Sequence, residues 1–99
     1  MSQRERLPNR RGHEVLNFEH NGFRYVAGMG RFADGRLAEV FLDCSKGGTA
    51  VDVSARDSAV VASIALQHGV APQTLRHAIL LNADGTAAGP LGELLDMIA

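Results

Sequence analysis

The stretch Glu14-Val-Leu-Asn-Phe-Glu-His-Asn-Gly-Phe-Arg-Tyr-Val-Ala-Gly-Met-Gly30 decides the fold. Before Asn21-Gly22, Leu16 and Phe18 share one face of an alternating run. After it, Phe23, Tyr25, Ala27 and Met29 repeat at period two, the signature of two half-buried strands. Asn-Gly between such runs fits a type I′ hairpin, because both central residues then need positive φ. Gly28 and Gly30 fall on the opposite face and leave room for a bulge or a close-packed helix.

Working outward, Ala33-Asp-Gly-Arg36 reads as a second turn and Leu37 to Leu42 as a third strand, apolar on both faces and therefore the best-covered strand of an antiparallel meander. Ser45-Lys-Gly-Gly-Thr49 reads as a loop. Ser54-Ala-Arg-Asp57 has the spacing of an N-terminal helix cap, which predicts a helix from Ser54 to about His68, stopped by Gly69 and buried on most sides. Pro72 opens a second helix with Leu75, Ala78 and Ile79 on one stripe, ending near Asn82. Asn82 to Gly89 is a small-residue linker, and Leu91 to Ala99 forms a last short helix docked through Leu94, Leu95 and Ile98. The expected fold class is α+β: a three-stranded antiparallel β-meander followed by two helices packed on one face, plus a short C-terminal helix. Residues 1–12, polar and interrupted by Pro8 and Gly12, read as a flexible Arg-rich arm, disordered at least through Glu5. Residues 13–99 read as a single domain. Helices on one side only leave a second sheet face, on which Phe23, Tyr25 or Phe41 would meet a partner.

The 99 residues are 45% hydrophobic and 21% charged, with no Trp and one Tyr, a globular composition with room for one core and no second domain. Ten Lys and Arg face eleven Asp and Glu. Arg4, Arg6, Arg10 and Arg11 make the first eleven residues locally basic, but a sequence pI near 6.4 argues against general nucleic-acid binding. No apolar run approaches the roughly 20 residues of a membrane span, and the first twelve residues lack a signal-peptide core, so a cytoplasmic location without membrane contact is expected.

The candidate chemistry is sparse. The Ser45–Thr49 loop, through Lys46, Gly47, Gly48 and Thr49, could with the N-terminus of the following Ser54 helix present backbone N–H groups to an anion such as a nucleotide phosphate, although the lysine precedes the glycines and no P-loop pattern is present; a plain connection is the competing reading. His13, His20, His68 and His77 have no metal-ligand spacing, and His20 beside the turn is expected in solvent. No serine has the G-x-S-x-G setting of a hydrolase, and Ser63 reads as a small packing residue. Cys44, the single cysteine, is either a thiol activated by Lys46 or a small buried residue. Arg10 and Arg11 suit either an acidic partner or plain solvation. No catalytic set, metal or cofactor is expected.

Leu7-Pro-Asn-Arg-Arg-Gly12, Asp34-Gly-Arg-Leu-Ala-Glu-Val-Phe-Leu42, Lys46-Gly47 and Ser63-Ile-Ala-Leu-Gln-His-Gly-Val-Ala-Pro-Gln-Thr-Leu75 together give a resemblance to a known family. Over about residues 7–82 the chain resembles the TSCPD domain, found at the C-terminal side of adenosylcobalamin-dependent ribonucleotide reductases and as small stand-alone proteins. The resemblance implies an accessory binding or regulatory role in ribonucleotide reduction, outside the radical-bearing barrel. The partner would be a reductase or, through the sheet, a second copy. It carries over no site residue, and Cys44 alone cannot supply the cysteine pair that relays reducing equivalents.

Overall fold

The computed structural model describes residues 3–8 and 12–98. Six elements follow in order: β1 (His13–His20), β2 (Phe23–Arg31), β3 (Leu37–Cys44), α1 (Ala50–Gln67), α2 (Pro72–Ala78) and α3 (Pro90–Ile98). The strands form an antiparallel meander in the order β1-β2-β3, the α+β arrangement expected. Asn21 and Gly22 have φ of 50° and 82°, as the hairpin turn requires. The register places Phe18 opposite Tyr25, Ala27 opposite Leu42, and Met29 opposite Val40. One face of the sheet thereby becomes continuously apolar, and it packs with Ala55, Ala59, Ala62 and Leu66 of α1 and with Leu94 and Leu95 of α3.

That register corrects one expectation. Tyr25 is only 3% exposed and stacks on Phe18 with ring centroids 5.4 Å apart. The face it shares with Phe23, Ala27 and Met29 is the covered one, so the outer face shows instead Val15, Val26 and Phe41, the last 47% exposed. The space above Gly28 and Gly30 is filled by neither a helix nor a bulge alone. Phe41 and Glu39 of β3 lie across it, and an added Cβ would sit 3.3 Å from Phe41 Cδ2 at Gly28 and 2.6 Å from Glu39 Oε1 at Gly30. The ladder shifts register just after, between Gly30 and Arg31.

Helix α1 begins four residues before the expected Ser54, with Thr49 as its N-cap. Its far end is a Schellman closure: Gly69, at φ 94°, donates to Leu66 O and Val70 donates to Ala65 O. The helix is not buried on most sides; Val53, Val60, Val61 and Ile64 are exposed, because α1 runs along the edge of β3 rather than beneath the sheet. Polar side chains on α1 take up the backbone groups of that edge. Cys44 N–H donates to Asp52 Oδ1 at 2.9 Å. Val40 N–H donates to Ser63 Oγ at 2.9 Å, and the Ser63 hydroxyl returns to Val40 O at 3.0 Å. Gln67 Nε2 donates to Ala38 O at 3.1 Å. The lengths match: from Asp52 to Gln67 a helix climbs about 22 Å, and from Cys44 back to Ala38 a strand covers about 20 Å. An edge closed in this way cannot recruit another strand. Ser63 is thus an edge partner as well as a small packing residue.

Helix α2 stops at Ala78 rather than near Asn82, since Ile79 turns extended, with ψ 162°. Leu81 pairs with Ala87 and Asn82 N–H donates to Thr86 O, so the expected linker is a tight hairpin. α3 covers the end of β1, which removes His20 from solvent: its ring, 9% exposed, lies between Glu93 Oε2 at 2.7 Å and Ala88 O at 3.1 Å. Of the N-terminal arm, Glu5 N–H donates to Gln67 O at 2.6 Å, and the Glu5 carboxylate pairs with Arg36. Among the described residues no helix is long and apolar enough to cross a membrane.

Candidate functional site

The Lys46–Thr49 loop ends β3 and caps α1. Thr49 Oγ1 accepts the Asp52 N–H at 3.3 Å and donates to Lys46 O at 2.7 Å. Gly48, at φ 76°, donates its N–H to Asp52 Oδ2 at 3.1 Å. The Asp52 carboxylate, 3% exposed, thus receives Cys44 N–H, Gly48 N–H and the Arg56 guanidinium, the last at 3.0–3.1 Å. The Cys44 and Gly48 backbone donors, with Arg56 behind them, hold its pKa below the usual carboxylate range despite desolvation. The anion in this loop is therefore the protein's own, and an incoming phosphate would meet a carboxylate where the N–H groups converge. Lys46 projects over the Phe23 ring, 5.8 Å from its centroid, and around Gly47 the space is open. Thr49-Ala-Val-Asp52 carries the same cap spacing as Ser54-Ala-Arg-Asp57. The pairing of Asp52 with Cys44 across the chain selects the first.

Cys44 is a buried free thiol on the covered face, beside Tyr25. Burial, with Cys44 near, raises the Tyr25 pKa. The Ser58 hydroxyl is spent on Ala55 O, as that of Ser63 is on Val40. Among the described residues no three His, Cys, Asp or Glu side chains gather as a metal site. Arg10 and Arg11 lie outside the described residues. Tyr25 is thus not brought to the surface of the sheet; it opens instead on a cleft that sequence reasoning missed.

That cleft, about 530 Å³, lies between the first half of α1, the extended Ile79-Leu80 segment and the start of α3. Val51, Ala55, Leu80 and Leu91 wall it, and Tyr25 faces it from the sheet. Its residues come from four separate stretches of the chain, none carrying a motif, so no sequence signal marked it. Two further apolar surfaces are exposed: Val15, Val26 and Phe41 on the outer sheet face, and the valine side of α1.

These features define a small α+β domain with apolar surfaces and a cleft, its polar loop held by the Asp52 carboxylate. Over 68 residues the chain is 37% identical to a vitamin B12-dependent ribonucleotide reductase of Agrobacterium fabrum, and over 70 residues 34% identical to one of Bradyrhizobium diazoefficiens. Those stretches are 69% and 71% of this chain but 5% and 6% of the reductases. The chain is therefore a domain related to a short segment of these much longer proteins. No family model matches it, and no solved structure matches it.

Proposed function

We propose that this domain is a non-catalytic binding or regulatory module of ribonucleotide reduction, of the TSCPD type, acting in the cytoplasm by contact with a reductase polypeptide. The observation that carries the reading is the similarity to a segment making up 5–6% of vitamin B12-dependent ribonucleotide reductases. A segment of that size in a large enzyme has neighbours to pack against, and this chain keeps apolar surface for such contact in Val15, Val26 and Phe41 on the sheet and in Val60, Val61 and Ile64 on α1. Arg10 and Arg11 would support the contact through charge, whereas Tyr25, only 3% exposed, takes no part in it. Self-association through the outer sheet face is the alternative use of the same surface.

Nucleotide binding at Lys46, Gly47, Gly48 and Thr49 has less support, because Asp52 already takes the Gly48 donor and opposes a second anion. Affinity capture from native lysate of the source cells, read by mass spectrometry, tests the leading reading. Recovery of a reductase subunit, abolished by a Val60→Glu, Val61→Glu double variant or by Phe41→Glu, is the expected result. Recovery of this chain alone would overturn it.

A further inference from the structure

We propose that the cleft between α1 and the start of α3 is a binding site for an uncharged, largely apolar small molecule that hydrogen-bonds the Tyr25 hydroxyl. Its volume of about 530 Å³ falls within the range of small-molecule sites, which pair apolar walls with a few polar groups that fix orientation. Val51, Ala55, Ile79, Leu80 and Leu91 supply the walls, and none of the described lining residues carries a charge. A phosphate, carboxylate or ammonium group would lose its hydration there without gaining a counter-charge. The site is thus selective against the nucleotides that the glycine loop suggested.

Tyr25 gives the cleft its one deep polar feature. The residue is 97% buried by its 3% exposure, yet its hydroxyl makes no hydrogen bond to any described residue, whereas buried phenols ordinarily find a partner. No fully buried polar side-chain atom among the described residues lacks a partner, so this hydroxyl keeps a small accessible surface, and the cleft is what Tyr25 faces on the covered side of the sheet. At the mouth, Leu80 is 78% exposed, an aliphatic side chain standing in water where it would cover a bound apolar body. The inference is independent of any contact with a reductase.

Tyr25 is the only tyrosine in a chain without tryptophan, so tyrosine emission reports on this one side chain. The experiment titrates the full chain with cyclohexanol, which combines an apolar ring with one hydroxyl, and in parallel with inorganic pyrophosphate, following Tyr25 emission and amide NMR shifts. The expected result is a saturable change with cyclohexanol, its shifts centred on Val51, Ala55, Leu80 and Leu91, and no change at these residues with pyrophosphate. Gly89→Leu, at a lining position where an added Cβ meets nothing within 4 Å, fills the cleft and weakens binding at least about tenfold while unfolding stays cooperative. Leu80→Ala, at the exposed rim, weakens it without burdening the fold. Tyr25→Phe, followed by NMR, weakens it by roughly three- to tenfold, as loss of one hydrogen bond implies. Non-saturable shifts, shifts centred elsewhere, equal binding of pyrophosphate at the cleft, or unchanged affinity in folded Gly89→Leu and Leu80→Ala would each overturn the proposal.

Discussion

The Lys46–Thr49 loop and the apolar cleft adjoin the same half of α1 and are opposite in character. In the loop, Gly48 N–H, the Thr49 hydroxyl and both Asp52 oxygens all have partners inside the domain. In the cleft the walls are mostly hydrocarbon, and the Tyr25 hydroxyl has no partner among the described residues. Composition makes the loop look like a ligand site, because a sequence displays donors without displaying what they already hold. Folding hides the cleft from the sequence, because its parts come from residues 25, 50–58, 79–80 and 88–92. A loop folded onto its own carboxylate acts as a fastener, and an apolar hollow with one spare hydroxyl is where a ligand has something to gain.

The sharpest way to break this contrast is to remove the fastener. Asp52→Ala strips the acceptor from Cys44 N–H and Gly48 N–H and leaves Arg56, among the described residues, with Asp43 alone. It should lower Tm by roughly 10 °C or more, read by circular dichroism. A Tm within a few degrees of the parent would show that the loop is a plain connection after all. The same carboxylate predicts an acid limb. Its folded pKa is depressed, so its contribution is complete above the ordinary carboxylate pKa of about 4 and is lost as pH falls through the lowered folded value. Asp34, held low by the Arg36 backbone, and Asp96, held low by Arg76, are exposed and add little. Urea midpoints measured down the acid range should therefore fall in the parent and lose most of that slope in Asp52→Asn.

Smaller effects sharpen the contrast. Ser63→Ala leaves the Val40 backbone unpaired at the β3 edge and should cost about 1–3 kcal/mol by urea denaturation. Thr49→Ala should cost about 1 kcal/mol as an N-cap, while Ser54→Ala, inside the helix, should stay within about 0.5 kcal/mol of the parent. Reversed costs would return the helix start to Ser54. Tyr25→Phe should be the mildest, within about 0.5 kcal/mol, because the hydroxyl it removes holds no partner among the described residues; a loss above about 1 kcal/mol would mean that the fold uses that hydroxyl.

The meander was legible because its information is local. Asn21-Gly22 sets the hairpin, and period-two apolar residues set the faces. Which of the two faces the helices cover was not, since Tyr25 and Phe41 are equally aromatic and only the packing of α1 and α3 distinguishes them. The start of α1 was ambiguous for a definite reason: Thr49 and Ser54 each precede an aspartate by three residues, and the deciding bond, Cys44 N–H to Asp52, crosses the chain. His20 is held by Glu93 and Ala88 far along the sequence, against the expectation of a solvent-exposed ring, and Ser63, besides packing, pairs with the edge of β3, a bond its local sequence does not show. Of the candidate site, the loop residues were visible and their internal use was not. The cleft, built by tertiary contact alone, left no trace in spacing.

Contact with a reductase is tested most directly by sedimentation velocity of this chain mixed with a purified vitamin B12-dependent ribonucleotide reductase from the same cells. Part of the small chain should move into the reductase boundary, and the Val60→Glu, Val61→Glu variant should stay behind. Two boundaries sedimenting independently at micromolar concentrations of both proteins would contradict it.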